Sequence, residues 1–163
     1  MANGIAATWI GELTKGLPPT SPGLEIDEIG RQRWNLLRGD LPLPVAVLRQ
    51  SALERNEEWM RAFREHMGVR LAPHAKTTMS PQLIQRQLDS GCWAITVATV
   101  HQIRTCRQFG IQRIILANQL IGRREIDYVL SELKRDPEFE FYCLVDSIAG
   151  VGMLKEGIAR IDP

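Results

Sequence analysis

Short, nearly unbroken apolar runs alternate along the chain with longer stretches of helical periodicity. After residue 44 the runs fall at 45–48, 69–76, 93–98, 113–118 and 139–146. Their length and their content of Val, Ile and Leu are those of buried strands. Between them apolar residues recur at helical spacing, as in Leu53, Met60, Phe63 and Met67. Start and stop signals agree with this reading. Ser51 and Glu54 have the spacing of a capping box, and Gly68 stops the helix that they open. Ser80 before Pro81 opens a second helix that runs to Gly91. Thr99 and Gln102 make another capping box, for a helix ending at Gly110. Further helices are predicted over 125–134, closed by Asp136 and Pro137, and over 148–161. Strand starts near 44, 69, 93, 113 and 139 recur every 20 to 26 residues. Such alternation predicts βαβ units and a parallel sheet. The unbroken apolar strands predict that both faces of that sheet are covered.

Residues 1–43 read as a lead-in, and 44–163 as the regular α/β domain. The lead-in has a loop rich in Pro, Gly and Ser at 15–23. A short helix is predicted over 25–38, with Ile26, Ile29, Trp34 and Leu37 near one side and Gly30 weakening it. Two architectures compete for the rest: a doubly wound open sheet and a (β/α)8 TIM-type barrel. No G-x-G-x-x-G follows the first strand, which counts against a dinucleotide fold, and there is no Walker A sequence. A barrel needs eight units and usually about 250 residues. A chain of 163 residues has room for about five, so a barrel would stop before closing.

Twenty basic residues face nineteen acidic ones, for a net charge of +1. That balance gives no footprint for nucleic acid or for an anionic membrane. No apolar run approaches the roughly 18 residues of a membrane span. The N-terminus has no basic segment before an apolar one, so no signal peptide is expected and the expected location is cytoplasmic. Cys92, Cys106 and Cys143 are widely spaced, form no C-x-x-C pair and read as small core residues. Asn56 falls on the apolar stripe of its helix and reads as a buried structural hydrogen-bonder. The pairs Arg123–Arg124 and Glu57–Glu58 read as solvated faces.

The basic residues comprise sixteen Arg and only four Lys: Lys15, Lys76, Lys134 and Lys155. Lys134 falls in a helix's last turn, favourable for the dipole, and Lys15 and Lys155 lie in polar surroundings. Lys76 ends a strand in which Arg70, Ala72, His74 and Lys76 share one face. In parallel α/β folds catalytic groups stand at that end of a strand. A partly desolvated lysine there can act as an amine nucleophile, as Schiff-base chemistry requires. The plainer alternative is a solvated lysine entering a loop. His74 either tunes Lys76 or is a core histidine bonded to backbone. Thr77, Asn118 and Asp146 stand at strand ends, where such residues can line a pocket and also commonly satisfy turns and helix caps.

The run from Leu71 to Thr78, LAPHAKTT, lies between a predicted strand and a predicted helix. It resembles the P-H-x-K-T motif of the D-threonine aldolase and D-serine dehydratase family. The likeness is greatest to the bacterial branch named amino acid deaminase, whose motif is similar to PH(A/G)KTTM. Flanking stretches at 44–48, 85–91, 95–99, 116–122 and 143–147 also match, so the resemblance covers roughly 42–150. It implies an alanine racemase-like barrel and a pyridoxal-phosphate-dependent lyase acting on D-hydroxy-amino acids. Lys76 would hold the cofactor and act as base on the α-hydrogen, and His74, Thr77 and Asn118 are candidates by position for further cofactor contacts. The family's later barrel strands, with most phosphate and pyridine contacts, and its C-terminal β-domain, with the divalent-metal ligands, have no counterpart here. No His-x-Asp or His-x-Cys pair occurs, so no metal site is expected in this polypeptide. Family members tend to be homodimers.

Three other readings stay open. A non-enzymatic pyridoxal-phosphate carrier barrel shares the second-strand lysine. A class I aldolase also forms a lysine Schiff base, though usually on a later strand. An inactive fragment is the third. Five βα units leave strand edges unpaired. The isolated polypeptide is therefore expected to be inactive, to bind the cofactor weakly and to associate or aggregate.

Overall fold

A computed structural model describes residues 8–163, so the first seven residues of the expected lead-in lie outside the described residues. The described chain falls into two compact units, divided after Leu53.

In the first unit, β1 (Trp9–Ile10) pairs antiparallel with β2 (Leu24–Glu25). Gly23 makes the pairing possible. Its φ is +89°, and a Cβ there would stand 2.7 Å from the Trp9 ring. The helix expected over 25–38 is instead two 3-10 helices, Ile26–Gln32 and Leu36–Arg38. Arg33 breaks the run with a left-handed φ of 54°. The Asn35 side chain then accepts from the N–H groups of Leu37 and Arg38, starting the second helix afresh. Residues 45–48, expected as a buried strand, form no ladder among the described residues, and Val47 and Leu48 are exposed. A short apolar run is a strand only where a neighbour completes its backbone hydrogen bonds.

Helix α1 (Gln50–Met67) begins before Ser51, so Ser51 is inside the helix rather than its cap. The Arg49 carbonyl accepts from the Ala52 and Leu53 N–H groups and begins the ladder. Asn56 is exposed, not buried, and the expected apolar stripe is open at Phe63 and Met67. Trp59 and Phe63 stack on each other at 5.7 Å. Polar contacts anchor this helix. Glu57, expected as part of a solvated face, accepts two hydrogen bonds from Arg86, at 2.7 and 2.8 Å. Arg64 donates to the carbonyls of Ser90 and Gly91 at 2.8 and 2.6 Å. Periodicity identifies a helix face but not what that face meets.

The second unit is a parallel sheet with helices. Strands β3 (Ile95–Val97), β4 (Arg113–Gln119) and β5 (Glu140–Leu144) lie side by side in chain order. The run expected as a strand over 69–76 is an extended segment, 71–75, on the β3 side. Its carbonyls at Leu71 and Pro73 accept from Trp93 and Thr96, and Ala75 N–H donates to Thr96 at 2.9 Å. Pro73 has no N–H to give, and the segment makes a single ladder bridge, His74 to Thr96. The connecting helices are α2 (Pro81–Asp89), α3 (Val100–Gln108), α4 (Arg123–Arg135) and α5 (Ile148–Ile161). Ser80, Thr99 and Ser147 cap α2, α3 and α5 by accepting from Leu83, Gln102 and Gly150 N–H.

Ladder register sorts the strands into two faces. Ile95, Val97, Ile114 and Leu116 are buried with Ile84, Ile103, Cys106, Ile126 and Val129 of the helices. Thr96, Ile115, Ala117, Tyr142 and Leu144 stand on the other face and stay partly or fully exposed. The expectation of a sheet covered on both faces is therefore corrected. Right-handed crossovers between strands in sequential order put each connecting helix on one side. A doubly wound sheet reverses strand order, and no reversal occurs among the described strands. No helix of the described residues is long and apolar enough to cross a membrane.

Candidate active site

The site residues expected from the sequence lie on the open sheet face and at the C-terminal ends of its strands. His74 stands opposite Thr96 on that face, while Ala75 points the other way into the core, 3% exposed. Lys76, Thr77 and Thr78 follow as an exposed turn. Met79 N–H donates back to the Ala75 carbonyl at 2.9 Å and closes it. The Thr96 hydroxyl donates to the Ala72 carbonyl at 2.8 Å, tying the segment below the turn to β3.

Just after β3 and along β4, the C-terminal ends of the strands carry the small side chains of Ala98 and Ala117. Ala98 follows β3, and the Gln102 side chain joins its N–H to the Lys76 carbonyl. Ala117 lies on β4 one residue beyond the Val97–Leu116 pair and is exposed. Among the described residues no group of three or more His, Cys, Asp or Glu could hold a metal.

Asn118 lies in an irregularity of β4. Two extra residues intervene there, so that Gln119 rather than Ala117 faces Leu144. The Asn118 side-chain oxygen accepts from Gln119 N–H at 3.0 Å, leaving its NH2 group as a donor. Gln119 in turn donates to Asp146 at 2.9 Å, linking the ends of β4 and β5. The structure thus brings His74, Lys76 and Thr77 together on one segment, with Asn118 on the second strand over. Sequence reasoning missed Gln119 and Gln102. Alternation could not place Gln119 across the irregularity, and Gln102 read only as a capping residue.

A second cluster occupies the opposite end of the sheet. Arg113 pairs with Glu140, and Tyr142 donates to Glu140 at 2.9 Å. The Arg113 guanidinium lies 5.0 Å from the centre of the Trp93 ring, and Tyr142 lies 5.3 Å from it. The hydrogen bond from Arg113 holds the Glu140 carboxyl below its usual range, and the bond to Glu140 raises the Tyr142 hydroxyl. These groups pair largely with one another, with Arg113 also donating to the Trp93 carbonyl and its Nε left buried without a partner, and they read as a polar floor.

No family model matches the chain. It is 29% identical over 127 residues to a D-threonine aldolase from Arthrobacter sp., covering 76% of this chain and 30% of that protein. It is also 29% identical over 109 residues to a D-threo-3-hydroxyaspartate dehydratase from Delftia sp. strain HT23, covering 67% of this chain and 28% of that one. A solved D-threonine aldolase from Filomicrobium marinum superposes with a TM-score of 0.70 at 25% identity, over 76% of this chain and 32% of its own. A solved variant of D-threo-3-hydroxyaspartate dehydratase gives 0.70 at 25% identity, over 82% and 33%. The chain spans about a third of the length of the relatives it matches. In sequence and in fold, this chain is similar to the D-threonine aldolase and D-serine dehydratase family.

Proposed function

We propose that this chain carries the cofactor lysine of a pyridoxal-phosphate-dependent lyase acting on D-β-hydroxy amino acids. Residues 44–163 are then the first part of an alanine racemase-like barrel, with 1–43 as its lead-in. The observation that carries the reading is the position of Lys76. It follows a parallel segment at that segment's C-terminal end, two residues after His74, with its carbonyl held by Gln102. Relatives named as an aldolase and a dehydratase support the substrate class.

Pyridoxal phosphate, when bound, supplies an electron sink for the electron pair released at an amino acid's α-carbon. The chain's own residues do the rest. The Lys76 amine would hold the cofactor as its nucleophile and would serve as the base that takes the proton from the substrate's α-carbon. His74, two residues earlier and on the open face, tunes that amine or hydrogen-bonds to the cofactor. Thr77 and the Asn118 NH2 group are further contacts. The covered face keeps water from the strands behind the site.

The test uses the whole polypeptide that carries this sequence, incubated with pyridoxal phosphate and D-threonine or D-threo-3-hydroxyaspartate. Cleavage would release glycine and an aldehyde, and elimination would release ammonia. Lys76→Ala should abolish cofactor uptake and product together, while Lys134→Ala and Lys155→Ala should change neither. Cofactor uptake at Lys76 without turnover of any D-hydroxy amino acid would favour a carrier protein instead. Activity that survives Lys76→Ala would contradict the proposal.

A further inference from the structure

The turn that bears Lys76 is fixed from several sides. Ala75 N–H donates to Thr96, and Met79 N–H closes the turn onto Ala75, each at 2.9 Å. Met79 has a φ of 44°, a left-handed conformation that a side chain of its kind rarely adopts. Its side chain packs against the core, which holds the residue there. Strain of this kind persists only where the surroundings over-determine it.

Gln102 makes the remaining contact. A capping-box side chain ordinarily returns to the N–H of its own cap residue, here Thr99. The Gln102 side chain reaches further. Its oxygen accepts from Ala98 N–H at 2.9 Å, and its NH2 group donates to the Lys76 carbonyl at 3.1 Å. One partner is a donor and the other an acceptor, so a carboxamide satisfies both at once, whereas a carboxylate or an ammonium satisfies only one.

We propose that Gln102 is a positioning residue for Lys76: by bridging Ala98 N–H and the Lys76 carbonyl it fixes the peptide plane after Lys76, and with it the direction of the lysine side chain. The proposal rests on the reading of Lys76 as the cofactor lysine. Reactive groups must be held within a fraction of an ångström to work well, and a side chain on a strained, exposed turn needs such a brace.

The experiment compares Gln102→Met, which keeps length and helix propensity but loses both bonds, with Thr99→Ala, which removes the α3 cap without touching Lys76. Cofactor affinity is read by absorbance titration with pyridoxal phosphate. Backbone opening is read by hydrogen exchange over residues 75–79, with 113–117 as reference. One net hydrogen bond corresponds to about three- to tenfold in an equilibrium. Gln102→Met should weaken cofactor binding by about that factor and speed exchange at 75–79 while 113–117 keeps its protection. Thr99→Ala should lower Tm and leave affinity unchanged. If all amides of Gln102→Met exchanged together, Gln102→Asn, whose amide is one methylene too short to bridge, would replace it. Wild-type affinity and wild-type exchange at 75–79 in these variants would overturn the proposal. If the unsubstituted protein took up no cofactor at Lys76, the reading of Lys76 would fail, yet the exchange at 75–79 would still decide whether Gln102 holds the turn.

Discussion

Arg107 lies inside the second unit with 6% of its side chain exposed, next to Glu132 at 8%. It reaches Glu132 at 3.1 Å, Asp136 at 2.5 Å and the Ile111 carbonyl at 2.9 Å, and lies 4.2 Å from the Phe139 ring centre. Buried charges persist only when paired, and removing one partner leaves the other stranded. Arg107→Ala should therefore cost about 3–5 kcal/mol in chemical denaturation. A cost like that of a surface substitution would show that Glu132 finds water. Cys106, 1% exposed, has its thiol pushed by burial from the ordinary 9.0 to about 11. A raised folded value means stability that is full below the ordinary value and lost as pH rises through the folded one. Alkaline unfolding should therefore steepen between pH 9 and about 11, and Cys106→Ala should flatten that limb. At this scale, the residues legible in the sequence were those with few alternatives. Lys76 stood out because lysines are scarce and a specific motif surrounds it. Arg107 is one of sixteen arginines, and its partners lie up to 29 residues away. Glu57 and Asn56 were misread because helical spacing cannot say which neighbour a face meets.

Helix α5 crosses α4 through a glycine. A Cβ at Gly157 would stand 2.4 Å from the Ile126 side chain and 3.0 Å from Leu130, whereas Gly152 has nothing within 4 Å. The two glycines should respond oppositely to alanine. Gly157→Ala should destabilise by about 1–3 kcal/mol through overpacking. Gly152→Ala should stabilise by about 0.5–1 kcal/mol through helix propensity. Paired thermal melts decide this, and equal shifts would contradict close α4–α5 packing at Gly157. Between segment 71–75 and β3, Thr96→Val removes the hydroxyl bond to the Ala72 carbonyl. It should cost about 0.5–1.5 kcal/mol and raise exchange at Ala75 first. The caps at Ser80 and Thr99 were readable because a cap is a local event, complete within four residues. The absence of a strand at 45–48 was not readable, because pairing depends on a distant partner. The two 3-10 helices of the first unit follow from Asn35, whose side chain competes for backbone donors in a way no periodicity reports.

Across the molecule, chain order and crossover hand place the helices on one side and leave the face of His74, Thr96, Ile115 and Tyr142 open. That alternation of strand and helix was visible in the sequence. The one-sided covering was not, because an apolar strand reads alike whether one face or two are buried. Arginine–carboxylate pairs tie the unit across its elements. Arg107 and Arg113 hold Asp136 and Glu140 below their ordinary 3.8 and 4.5. Depressed folded values give stability above the ordinary range, lost as pH falls through the folded values. Unfolding free energy should therefore be flat from neutral pH down to about 5 and decline below about 4. Neutral substitution of both pairs should flatten the decline. The most direct measurement concerns the lysine itself. The whole polypeptide is incubated with pyridoxal phosphate, reduced with borohydride, digested and mapped by mass spectrometry. With Lys76 as the cofactor lysine, the pyridoxyl label falls on the peptide carrying Pro73 to Thr78, and Lys15, Lys134 and Lys155 remain unlabelled. A label on any of those three, or none on Lys76, would contradict it.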